Sequence, residues 1–312
     1  MNGSKPKLRK DFKDNLELYL FLIPGLSLMF VFLYLPMLGV VLAFKNLRFH
    51  GNIFVSFARS EWVGLRHFRT LFNTEQAFIA IRNTLLYNLA FIVLGLIISV
   101  GLAILLNELR NKRLAKLYQT TFILPHFLSW TIVAYFVYAL LSARYGIVNN
   151  YILPLFGIDP INWYFSAEYW PFILVFTNIW KTAGFNSIIY LAALSGIDVE
   201  LYEAATIDGA SKFQQMTFIT IPALKPIMII LTTLAIGRMF FSDFGLYFNV
   251  PLDVRALRGV TEVLDTYVYK LLRTGDFSFA TAAGLLQGAV GFVLVMVSNK
   301  VVKKVSPENA LF

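Results

Sequence analysis

Apolar residues come in six runs along this chain, each close to the roughly 20 residues that a helix needs to cross a hydrocarbon core of about 30 Å. They fall at roughly 17–44, 82–106, 118–142, 171–194, 223–242 and 279–302. Each predicts a membrane-spanning helix. The first is too long for the apolar part of a signal peptide and no small-x-small cleavage site follows it, so it counts as a mature helix. The expected fold is an all-α integral membrane protein with six transmembrane helices.

One stretch interrupts this pattern. Between the fourth and fifth runs, residues 198–222 read as a polar helix-turn-helix. Asp198 caps a short helix whose positive N-terminal end is lined by Glu200 and Glu203. Gly209 suits the left-handed turn that follows a helix. Ser211 and Gln214 form an S-x-x-Q capping box that restarts a helix, and Pro222 is expected to end it before the fifth run. Ala204 and Ala205 keep one side of the first helix small, so another surface can approach its backbone. Crossing lipid requires no such insert, and it reads as a docking element.

Composition agrees with a membrane protein: 58% of residues are hydrophobic and 14% charged, against about 25% charged in soluble domains. The net charge of +9 reflects topology first. Dense basic clusters lie in the N-terminal tail (Lys5, Lys7, Arg9, Lys10, Lys13) and in the short second loop (Arg110, Lys112, Arg113, Lys116), with Lys300, Lys303 and Lys304 near the other end. The positive-inside rule puts all three, and both termini, in the cytoplasm. The 45–80 loop also carries Lys45, Arg48, Arg59, Arg66 and Arg69, spread over a longer segment. The insert then faces the cytoplasm, and the loops near 45–80, 143–170 and 243–278 face outward. Basic residues flank membrane segments and form no continuous stripe, which argues against nucleic acid as a partner.

The absence of cysteine excludes disulfides, thiolate nucleophiles and cysteine zinc sites. His50, His67 and His126 have no metalloprotease spacing, and no G-x-x-x-x-G-K-[ST] stretch is present to cradle ATP phosphates. No carboxylate falls near the middle of an apolar run; Glu108 and Asp243 lie at the ends, which counts against an ion-coupled carrier.

Within the fourth run, Asn178, Lys181, Thr182 and Asn186 fall within about 140° of one helical face. Lys181 sits about 15 Å along that helix from Pro171, near the membrane midplane. Two readings stand: a substrate path in which Lys181 suits an acidic sugar, or a packing face on which Lys181 is paired. Arg238, at the outer end of the fifth run and five residues before Asp243, is read either as a snorkelling or ion-paired side chain or as part of the path. Trp163-Tyr164-Phe165 and Tyr169-Trp170 read as an interfacial aromatic belt, or as rings that stack on sugars. Thr232, Thr233 and Gly237 read as helix-packing residues. His126, beside Pro125, is placed to shape a broken helix or to pack.

The insert carries a resemblance. Glu203-Ala204-Ala205, three residues, Gly209, nine residues and then Ile219-Thr220-Ile221-Pro222 resemble the EAA loop of ABC importer permeases. That family usually ends the motif I-x-L-P, so Ile221 is a mild departure. Val199 stands where many relatives have Pro after Asp. The phrases LIPG, YLPM, EWVGLRHF, RNTL, LLNELRN, LPHFLSW, IIYLAAL, SDFGLYFNVP, DTYVYK and PENALF are similar to the carbohydrate-uptake permeases, of the lipoprotein and polysaccharide type.

The resemblance implies a type I importer permease fold, with a five-helix core plus one N-terminal helix. It divides the chain into a cytoplasmic tail at 1–16, a first helix and outer loop at 17–70, and a permease core at 71–312. It implies a pore subunit in a bacterial cytoplasmic membrane, without catalytic residues, cofactor or metal of its own. Its partners would be a second permease, two ATPase subunits that bind ATP and Mg, and an extracellular sugar-binding lipoprotein or periplasmic binding protein. Glu203 would pair with a basic residue of the ATPase, Gly209 would allow the tight turn, and Ala204, Ala205, Asp208, Phe213 and Pro222 would complete the coupling element. Two other classes remain beside the importer of oligosaccharides or polysaccharides: an ion-coupled secondary carrier, and a membrane-embedded enzyme acting on lipid-linked sugars. The enzyme would need paired carboxylates or a metal site.

Overall fold

The computed structural model describes residues 15–48 and 51–311; the basic cluster expected in the tail lies outside the described residues. Among the described residues five helices are long and apolar enough to cross a membrane: Leu16–Phe44, Glu75–Glu108, Ala167–Leu194, Lys212–Gly237 and Phe277–Val305. They match the first, second, fourth, fifth and sixth apolar runs.

The third run departs from expectation. It is not one straight crossing but a pair of helices, Lys112–Phe127 and Trp130–Leu141, bent by 102°. The cause is local. Leu124–Phe127 tightens into a 3-10 turn around Pro125, which cannot donate a backbone hydrogen bond. Ser129 then starts a new helix, its Oγ accepting from the Ile132 N–H at 3.3 Å. Counting the pair as one gives six crossings.

The fifth run is also shifted. Pro222 does not end a helix: it occupies the first turn of Ile221–Gly237, inside the continuous span Lys212–Gly237. A first-turn position tolerates proline because no N–H is needed there. The helix stops at Gly237 instead of near residue 242, leaving Arg238 as its C-cap. The irregular backbone beyond is held by side chains. Asn88 Nδ2 donates to Met239 O (3.0 Å) and Phe241 O (3.1 Å), Gln287 Nε2 to Phe240 O (2.8 Å), and the Ser242 N–H to Asp265 Oδ2 (2.7 Å). Non-helical backbone at such a position requires internal partners. Burial pushes the Asp265 carboxyl above its ordinary value, while the Ser242 and Gln287 donors oppose that shift.

Packing follows small residues and aromatics. Ala77 and Ala80 of the second span meet Ala282 and Ala283 of the sixth in one buried cluster, as expected where helices approach closely in lipid. A second cluster gathers Tyr87, Val133, Tyr164, Trp170 and Leu246. A third joins Val100, Ala103, Tyr190, Leu194 and Leu224, next to the polar insert. Trp170 is fully buried and its Nε1–H donates to Trp163 O at 2.7 Å, while Trp163 Nε1–H donates to Asn149 Oδ1 at 2.8 Å. Part of the expected aromatic belt is therefore packed inside the protein.

Candidate functional site

Two regions carry the polar groups that need an explanation, the insert and the middle of the fourth span. In the insert, Asp198 caps the helix Val199–Ile207, accepting from the Glu200 N–H at 3.0 Å. The helix closes with the Asp208 N–H on Ala204 O (3.0 Å) and the Ala210 N–H on Ala205 O (2.8 Å). That six-to-one closure needs a left-handed residue, and Gly209 supplies it at φ 78°. Ser211 and Gln214 make the reciprocal capping box, so the turn is specified from both sides.

Glu203, Ala204 and Asp208 are exposed, Ala205 is half-buried, and Phe213 remains 70% exposed. Pro222 is exposed on the following helix. An exposed carboxylate, a small-residue face and a bare phenyl ring together present a surface with charge and apolar area at one end of the molecule. Lys212 pairs with Glu108 at 3.3 Å, with side chains 75% and 50% exposed; such a pair contributes about 0–1 kcal/mol.

The membrane residues separate. Lys181 is only 7% exposed, and its ammonium donates to His126 O at 2.7 Å and Pro125 O at 3.4 Å. It also lies 5.2 Å from the Trp130 ring centroid. Trp130 in turn donates from Nε1 to Asp243 Oδ2 at 2.6 Å, and the His126 ring stacks on Phe185 at 3.9 Å. The cation thus neutralises carbonyls freed where the third run breaks, the negative end of a helix. Gly184, one turn along, lies against the Phe122 backbone, where a Cβ would collide. In this structure the Lys181 ammonium is bonded within the chain.

Thr182 Oγ1 donates to Asn178 O at 2.8 Å, and neither residue lines the cavity described next. Asn186 is different: it is exposed and lines a cavity of about 240 Å³ with Ser99, Tyr190, Leu231 and Thr232. Ser99 Oγ is buried without a partner. Arg238 is exposed and joins no ion pair among the described residues. Sequence reasoning assigned Thr232 to packing and did not single out Ser99 or Tyr190: Ser99 is an isolated polar residue in an apolar run, and Tyr190, one turn beyond Asn186, reads as an aromatic packing residue until the helices are assembled. No group of three or more His, Cys, Asp or Glu able to hold a metal occurs among the described residues.

Residues 95–304 match the family described as "Binding-protein-dependent transport system inner membrane component". The chain is 39% identical over 294 residues to the Bacillus subtilis polygalacturonan/rhamnogalacturonan transport system permease protein YteP, covering 94% of this chain and 89% of that protein. It is 38% identical to LplB of the same organism, covering 94% and 90%. Among solved structures, a bacterial ABC transporter involved in the import of the acidic polysaccharide alginate superposes with a TM-score of 0.87 at 35% identity, covering 96% of this chain and 99% of the matched chain. The same type of transporter, in complex with an alginate pentasaccharide-bound periplasmic protein, gives 0.86 at 35% identity, covering 96% and 98%.

Proposed function

Since the chain belongs to the family of binding-protein-dependent transport system inner membrane components and is thereby a permease subunit of a carbohydrate ABC importer, we propose that it forms one half of an inward path for acidic, uronate-containing oligosaccharides. The observation that carries this reading is the insert: a capped helix with Glu203 exposed beside Ala204, closed by Gly209, standing clear of the membrane core. It has the form of a helix that seats in a cleft of another protein, and the chain has no phosphate-binding loop of its own. In our reading that protein is a cytoplasmic ATPase, present twice, which binds ATP and Mg.

The uronate assignment draws support from what the relatives transport, since polygalacturonan and alginate are both acidic. In this chain it does not rest on Lys181, whose ammonium donates to two backbone carbonyls. The cavity edged by Ser99, Asn186, Tyr190 and Thr232 is our candidate path. Its 240 Å³ falls short of the roughly 300–1,000 Å³ typical of ligand sites, as expected if a second permease supplies the other wall. A sugar-binding protein would deliver substrate to the outer loops. ATP binding between the partner subunits would favour one of two pathway conformations, which is how a ligand drives such a change. Both chain termini would lie in the cytoplasm of a bacterial cell.

A pull-down of the tagged chain in mild detergent tests this reading. Wild type should recover an ATPase and Glu203→Lys should not, with equal amounts of chain in the membrane. Recovery of no ATPase by wild type overturns the importer assignment, and vesicle uptake of oligogalacturonate driven by an ion gradient without ATP would do the same.

A further inference from the structure

Four polar side chains behind the insert close a hydrogen-bonded circuit that the docking surface does not explain. Gln215 Nε2 donates to Thr206 Oγ1 at 2.9 Å. Thr206 Oγ1 donates to Tyr202 O at 2.7 Å. The Tyr202 hydroxyl meets Thr220 Oγ1 at 2.9 Å, and Thr220 Oγ1 reaches Gln215 O at 3.4 Å. With the Thr220 proton directed to Gln215, Tyr202 is the donor of the third bond. Each hydroxyl then gives one bond; those from Gln215 to Thr206 and from Tyr202 to Thr220 cross between the two helices, and the two threonine hydroxyls donate back to carbonyls of their own helix.

The backbone is shaped to allow this. Tyr202 and Thr206 are four residues apart, hence on one face of an α-helix. Gln215 and Thr220 are five apart, a spacing that an ordinary helix turns to different sides. Here Met216–Thr220 is a π-helical turn, whose i to i+5 pairing widens the helix and brings both residues round to the same neighbour. Gln215 and Thr220 are 4% and 6% exposed, so their polar groups are costly to leave without partners, while Tyr202 is half-buried and Thr206 exposed on the facing side. The connecting turn, Gly209 to Ser211, is fixed by caps on both sides.

We propose that Tyr202, Thr206, Gln215 and Thr220 are positioning residues that weld the short helix Val199–Ile207 to the inner end of the fifth span, so that a push on the exposed face of the insert is delivered to the span lining the cavity. This rests on the importer reading. The short helix alone is nine residues long, too short to hold its place unaided, and without the circuit it would pivot about Gly209. The span it is welded to runs through Leu231, Thr232 and Ala235, three of the cavity residues. Movement at the insert is then movement of the cavity wall.

The test uses the whole transport complex in vesicles, measuring ATP hydrolysed per sugar imported together with recovery of the ATPase. Thr206→Val removes the acceptor and donor, while Thr206→Ser keeps both. Leaving the buried Gln215 amide without its partner shifts a welded-to-loose equilibrium by about tenfold, so the Val variant should hydrolyse several-fold more ATP per sugar and the Ser variant should match wild type. Because the chain has no cysteine, Thr206→Cys combined with Gln215→Cys offers a second measurement. A short thiol-reactive bridge across that pair should restore the wild-type ratio. An unchanged ratio in the Val variant, or a bridge that stops transport, overturns the weld while leaving the importer reading intact; a wild-type complex without ATPase overturns the importer reading itself.

Discussion

Lys181 shows how one residue reverses its meaning when its neighbours are known. On the helical face drawn from the sequence it stood with Asn178, Thr182 and Asn186, read either as a substrate path or as a packing face. In the structure the ammonium is spent on Pro125 O and His126 O, and Asn186 alone of the four reaches the cavity. The break in the third run creates the need for a cation, since carbonyls at a helix end inside a membrane require a donor. Lys181→Met should therefore lower stability by about 1–3 kcal/mol, the cost of orphaned buried acceptors, seen as a lower melting temperature in detergent. The half-saturating sugar concentration of the surviving transporter should stay within about twofold of wild type. A large change in that concentration with an unaltered melting temperature would return Lys181 to the substrate path.

At the scale of elements, the insert was the most legible part of the chain. Its Asp198 cap, Gly209 turn and Ser211–Gln214 box are local devices, and all three are present. Pro222 misled because proline signals both the end of one helix and the first turn of another; only the continuation from Lys212 to Gly237 distinguishes the two. Pro125 was read as a possible break, yet the 102° bend depends on Lys181 and Ser129 accepting the new geometry. Gly209→Val places a branched side chain at φ 78°, which costs on the order of 1–3 kcal/mol of backbone strain. ATP-driven uptake should fall about tenfold, while the chain still inserts at normal levels. Normal uptake in that variant would mean that the turn is not held in this form during transport.

The whole molecule is incomplete by its own physical standards. The Leu16–Phe44 helix is apolar, and only 6% of its core window is buried, so lipid or another polypeptide must cover it. The cavity of about 240 Å³ is lined by residues of the second, fourth and fifth spans. Anything that binds the folded chain raises its apparent stability by mass action. Co-expression with a second permease should therefore raise the melting temperature of the tagged chain by about several degrees over the chain alone. Equal melting curves would argue against a paired pore.

What the sequence settled by itself was whatever depends on neighbours a few residues away. Run length decides whether a helix can span lipid, charge next to those runs biases orientation, and caps with a glycine fix the insert between 198 and 211. Tertiary structure alone decided which polar groups are already used. Lys181 is consumed by a break 55 residues away in sequence, and Ser99, Tyr190 and Thr232 acquire a common face only when three spans meet. The five-residue spacing of Gln215 and Thr220 becomes a match only through a π turn. Hydrogen-bond demand is a property of assembled backbone and side chains, and linear spacing holds no record of which partner arrives first.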